Sequence, residues 1–92
     1  MATLQTGTGI HKWKIIIDGK TIQFGAKGYT DYTLGATNEQ KLNYLTRHKK
    51  REDWNNKYTA GFWSRWLLWN KNSISKAITA INKQFGIKII SN

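Results

Sequence analysis

The chain has 92 residues, 15 Lys and Arg against 5 Asp and Glu, a formal net charge of +10, and five Trp. That is the size of one small basic domain, and 39% hydrophobic residues is more than a charge-disordered chain carries. The absence of Cys excludes disulfides, Cys-ligated zinc, iron–sulfur clusters and thiol nucleophiles. No apolar run approaches the roughly 18 residues of a membrane span, and no basic start with an apolar run marks a secretory signal, so neither secretion nor membrane insertion is expected.

Residues 1–11 are rich in Thr and Gly without periodicity and are expected to form a flexible arm, leaving 12–92 as a single compact α+β domain. From Lys12 the pattern takes period two: Trp13, Ile15 and Ile17 alternate with Lys14 and Ile16 up to Asp18-Gly19, a strong hairpin signal. A two-residue loop there pairs Ile17 with Lys20, Ile16 with Thr21, Ile15 with Ile22, Lys14 with Gln23 and Trp13 with Phe24. That register gathers Trp13, Ile15, Ile17, Ile22 and Phe24 on one face and turns Lys14, Thr21 and Gln23 to the other. Gly25, Gly28 and Gly35 punctuate a connecting loop that contains Tyr29, Asp31 and Tyr32.

A helix is expected to start after Thr37 or Asn38, with Leu42 and Leu45 as its apolar side and Tyr44 adjacent. It runs into Arg47-His48-Lys49-Lys50-Arg51 and then Glu52-Asp53. A second helix carries Phe62, Trp66 and Trp69 at helical spacing, with Trp63 and Leu67 beside them; apolar on most sides, it should be buried. Asn70 to Asn72 break it and Ser73 caps a third helix. There Ile74, Ala77, Ile78, Ile81 and Phe85 fall on one face and Gly86 ends the helix. Ile87 to Ile90 reads as a short strand that pairs with the hairpin and completes a three-stranded sheet, antiparallel or mixed, packed against two or three helices.

The blocks Arg47 to Trp54 and Thr59 to Lys71, together with Thr21-Ile22-Gln23-Phe24-Gly25 and Phe85-Gly86-Ile87-Lys88, resemble a family of small basic proteins of nucleocytoplasmic large DNA viruses, in a marseillevirus-like form. The resemblance covers about Lys20 to Ile90. It implies a viral origin, a place in the virion and the host cell (cytoplasm or nucleus), and a context of genome packaging or early infection. It implies no catalytic residue, because the family has no settled activity.

The residues themselves point to phosphate. Lys and Arg neutralise the nucleic-acid backbone without reading its sequence. The candidate contacts are Arg47, His48, Lys49, Lys50 and Arg51, extended by Lys41, Lys57, Arg65 and Lys71, with Lys76 and Lys83 as further positive surface. DNA is the expected partner. The run also matches a nuclear localisation signal, for which a folded helix is a poor presentation. Arg65, inside the most apolar helix, calls for a carboxylate partner such as Glu52 or Asp53, or else presents a phosphate contact. Trp63, Trp66 and Trp69 read as core, whereas Trp54 and Tyr58 are candidates for an exposed anchor that docks on a host or virion protein, the alternative function.

Catalysis finds little support. Of the two His, His11 lies near the chain end and His48 inside a basic run that opposes its protonation. The carboxylates left over from the turn, Asp31, Glu39, Glu52 and Asp53, show no metal spacing, and there is no phosphate loop or nucleophile elbow. A non-enzymatic protein without cofactor or metal is the expectation.

Overall fold

The computed structural model describes residues 1–91. Strands β2 (His11–Ile17) and β3 (Lys20–Ala26) form the hairpin in the predicted register, from Ile17 opposite Lys20 to Trp13 opposite Phe24. Asp18 (φ 51°) and Gly19 (φ 76°) make the turn, both at the positive φ that a type I′ hairpin demands. Ile15, Ile17 and Phe24 are buried, and Trp13 and Ile22 pack against them half-buried, so the hairpin has the expected inner face.

The N-terminal segment departs from expectation. Ala2–Thr6 is a strand, β1, antiparallel to β2 from Ala2 opposite Ile17 to Thr6 opposite Trp13. Strand β4 (Ile89–Ser91) runs parallel to β1 instead of pairing with the hairpin, so the sheet has four strands in the order β3-β2-β1-β4. The flexible arm is therefore an interior strand. Ala2 and Leu4 are both fully buried and alternate with Thr3 and Gln5, and the neighbouring strands pair the backbone on both sides. The link to β2 depends on Gly7, where a Cβ would lie 2.5 Å from the His11 carbonyl oxygen. The Thr8 amide and hydroxyl donate to Gln23 Oε1 at 2.7 and 2.9 Å, fastening that link to β3.

After β3 a loop containing a 3-10 turn (Tyr32–Leu34) leads to helix α1 (Asn38–His48). Thr37 starts α1 with a reciprocal capping box: its hydroxyl accepts the Gln40 amide at 3.1 Å and the Gln40 side chain accepts the Thr37 amide at 2.8 Å. The expected apolar side is only half met, because Leu45 is half-buried but Leu42 is 63% exposed, and Tyr44 is the buried residue of this helix.

Helix α2 (Ala60–Trp63), capped by Thr59, widens into a π-helical turn over Ser64–Leu68. The apolar spacing explains the widening. Phe62 with Leu67, and Trp63 with Leu68, are five residues apart, and i→i+5 geometry puts both pairs on the inner side. All four are buried, whereas Trp66 and Trp69, expected on the same face as Phe62, are only partly so. Helix α3 (Ile74–Phe85) begins at Ser73, whose hydroxyl accepts the Lys76 amide, and ends at Gly86 (φ 68°), as expected.

The core lies between one face of the sheet (Ala2, Leu4, Ile15, Ile17, Phe24) and the residues of α2, the π turn and α3 (Phe62, Trp63, Leu67, Leu68, Ala77, Ile81). Phe62 sits edge-on to Trp63 and to Phe85, with ring centroids 5.0 and 4.9 Å apart. The architecture is α+β: a four-stranded mixed sheet with three helices.

Candidate nucleic-acid interface

Helix α1 makes no dense backbone contact with any other element and is held by side chains. Its central fastening is a column of three rings. Trp69 stacks on Tyr44 at 4.5 Å with the planes 7° apart, and Tyr44 stacks on His48 at 4.2 Å and 25°. At the N-terminal side Lys41 Nζ donates to the Asn70 carbonyl at 2.8 Å and lies 4.7 Å from the Tyr32 ring centre. At the C-terminal side His48 Nδ1 is 3.2 Å from Glu52 Oε2; a carboxylate only accepts, so the proton is on Nδ1.

The basic run follows from this geometry. Arg47 and His48 occupy the last turn of α1, Lys49 caps it, and Lys50 and Arg51 continue into a turn. Arg47, Lys49, Lys50 and Arg51 are exposed and, among the described residues, none pairs with a carboxylate. Three of the five acidic residues are already committed elsewhere: Asp31 to Lys12 at 2.6 Å, Asp18 to Lys57 at 3.7 Å, and Glu52 to His48.

Not all the expected contacts share this surface. Lys41, Arg65 and Lys71 lie close enough that the last two, after burial, hold the Lys41 ammonium below its ordinary pKa. Burial, followed by the Glu52 charge, pushes the Tyr44 phenol well above its usual range, and Arg65 and Arg47 act on the same group. So Lys41, Arg47, Arg65 and Lys71 surround one region next to the basic run. Lys57 belongs to another, drawn to the hairpin turn beside Asp18.

Among the described residues Arg65 has no carboxylate partner, neither Glu52 nor Asp53. Glu52 pairs with His48 and accepts the Trp54 indole N–H at 2.9 Å. The Arg65 guanidinium instead lies 4.2 Å from the Trp66 ring centre and 5.3 Å from that of Trp54, and donates to the Trp69 carbonyl at 3.2 Å. Its Nε is buried without a hydrogen-bond acceptor, and burial lowers its pKa. Cation–π contact takes the place of the ion pair, because a guanidinium desolvates readily against indole faces.

The two candidate anchors are also engaged internally. Trp54 is half-buried, its N–H on Glu52 and its carbonyl accepting the Trp66 indole N–H at 2.8 Å, so it pins the 49–59 connection to the core. Tyr58, 41% exposed, donates its hydroxyl to Asp18.

A cleft of about 940 Å³ opens between α1 and the β3 side of the sheet. Sequence reasoning missed it. Gln40, Asn43, Tyr44, Arg47 and His48 line one wall, and Tyr29, 74% exposed, lines it from the loop after β3. Spaced i, i+3, i+4, i+7 and i+8, the wall residues form one helix face, but being mostly polar they escape a search for apolar periodicity. The buried Asp31, which accepts from the Thr33 amide and hydroxyl and from Lys12, anchors the loop on the far side.

Among the described residues no group of His, Asp and Glu could hold a metal ion, and no helix is long and apolar enough to cross a membrane. A family model described as a family of unknown function (DUF5754) matches residues 6–48, from the end of β1 through the hairpin and loop to the end of α1. No curated protein and no solved structure matches the chain. The matched part of the chain thus includes most of the cleft-lining residues and stops short of the Trp-rich helix.

Proposed function

We propose that the protein is a non-enzymatic nucleic-acid binder that holds phosphates without sequence specificity through Arg47, Lys49, Lys50 and Arg51 at the C-terminal end of α1. One observation carries this reading. The four side chains are exposed and, among the described residues, free of carboxylates on a protein of net charge +10, while Asp18, Asp31 and Glu52 are engaged elsewhere. A helix C-terminus attracts cations, which helps to hold four of them together, and a field of this kind draws polyanions by releasing their counterions. Lys41 and Lys71 extend the field, and Arg65 supports it from behind the indoles. DNA as the particular partner, and a virion setting, rest on the viral resemblance alone. Docking on a protein through Trp54 and Tyr58 is the weaker reading, since both side chains spend their polar groups on internal partners.

Titration of labelled DNA across about 50 to 200 mM salt tests the reading. Contact with about four phosphates gives a loss of affinity on the order of 10² over that range. Replacing Lys49, Lys50 and Arg51 with Ala should flatten the slope by about two to three and weaken binding alike across sequences. Unchanged affinity in that variant removes the site from consideration.

A further inference from the structure

Helix α1 faces the body of the protein in an unusual way. An ordinary surface helix turns its aliphatic residues inward, yet Leu42 points to solvent while Gln40, Asn43, Arg47 and His48 line the cleft. That arrangement leaves hydrogen-bonding groups and ring faces along an open wall where a core would otherwise be. We propose that this cleft takes unpaired nucleobases, stacked on His48 and on Tyr29, so that the ligand of the basic helix end is single-stranded. This inference rests on the nucleic-acid reading above and deepens it.

The aromatic column supplies the first argument. Tyr44 has a ring on each face, Trp69 at 4.5 Å and His48 at 4.2 Å, so His48 is the terminal member and the face turned away from Tyr44 ends the stack. Its side chain is 38% exposed. Glu52 holds the imidazole edge at Nδ1, and Tyr44 holds one face, so the ring is fixed before any ligand arrives. A base placed on it continues the column at stacking distance with little ordering cost. Tyr29 gives the same cleft a second ring, 74% exposed.

Charge sorts the ligand in the same sense. Lys12 with Asp31 lines the cleft as an opposite pair, and Glu52, bonded to His48, sets a negative charge against Arg47 on the same lining, which leaves its interior nearly neutral and unsuited to an anion. Arg47 makes no ion pair among the described residues and opens the run toward Lys49 and Arg51 outside. Bases would therefore lie within and phosphates along the rim. The Asn43 amide, with no hydrogen bond of its side chain among the described residues, offers a donor and an acceptor to a base edge. In a duplex the base faces are occupied by neighbouring bases and cannot reach either ring.

The test compares a labelled single-stranded DNA oligonucleotide with the duplex of equal length at one low salt concentration, using the full chain and the variants Tyr29→Ala, His48→Ala and His48→Phe. Single-stranded DNA should bind about tenfold or more tightly than the duplex. Tyr29→Ala and His48→Ala should each weaken single-strand binding by about 5- to 100-fold, and Tyr29→Ala should do so while leaving its salt slope and the duplex affinity in place. His48→Phe, which keeps a flat ring, should restore most of that loss even though it cannot bond Glu52. Equal affinity for the two DNA forms, or an unchanged ratio in Tyr29→Ala, overturns the cleft proposal and leaves phosphate binding standing. Failure to bind either DNA at the lowest salt overturns both.

Discussion

The two sides of this molecule are built by different forces. On one side the sheet is covered by α2, its π turn and α3, and a continuous apolar cluster from Ala2 to Ile87 excludes water. On the other side α1 stands off the body behind a cleft, held by a three-ring stack, a lysine on a carbonyl and a His–Glu pair, with Tyr44 as its one buried residue. Hydrophobic burial scales with area and does not care about direction, so the first side can be dense and general. Stacks and polar pairs are directional; they fix α1 at a distance and leave faces and charges open for a ligand. Stability and binding are thereby assigned to separate regions, and substitutions in one should leave the other largely untouched.

The sharpest way to break this division is at Trp63. It is fully buried against Phe24 and Phe62, and its N–H donates to the Lys57 carbonyl at 2.8 Å. Trp63→Ala should cost about 3 to 5 kcal/mol in urea denaturation. A loss below about 1 kcal/mol would mean that the core is not where stability lies.

Asp31→Ala comes next, because it strands the Lys12 ammonium beside the cleft and removes the acceptor of Thr33. The expected cost is about 3 kcal/mol, recovered in large part by the double variant Asp31→Ala with Lys12→Met. If the single variant is harmless, the loop after β3 is not anchored by this pair. Leu42→Ala, by contrast, should move stability by no more than about 0.5 kcal/mol, as for any exposed position, and a larger loss would show α1 packed on its other face.

The remaining effects are in pH. Tyr44, with its pKa raised first by burial, contributes stability that is complete below pH 10.0 and lost as pH rises through its folded value. Phenolate absorbance should show this tyrosine ionising only with alkaline unfolding; early titration would show the ring stack open. At the hairpin turn the Tyr58 hydroxyl lowers the Asp18 pKa, and Asp18 raises that of Tyr58. The contact is complete above pH 3.8 and below pH 10.0, and is lost as acid protonates Asp18 below its folded pKa or base ionises Tyr58 above its own. Both groups are exposed, so amide shifts of Asp18 and Gly19 are the measurement, and shifts constant across that window with breaks outside it are the expected result.

Local chemistry determined much of this protein from the sequence alone. Asp18-Gly19 and the alternation around it define the hairpin to the residue, because turn geometry and period two act over neighbours. Ser73, Gly86 and the spacing from Ile74 to Phe85 define α3 for the same reason. That many cations lack an acidic partner was legible too, since 15 cations cannot all find partners among 5 acids, but which ones do was not. What escaped depends on distant partners. Ala2–Thr6 looks loose alone and becomes a strand only between β2 and β4. Arg65 finds indoles instead of a carboxylate because Glu52 is claimed by His48 and Trp54. Which side of α1 turns inward was decided by Trp69 stacking on Tyr44, a contact across 25 residues that no periodicity records, and with that choice the cleft and its wall of polar side chains came into being.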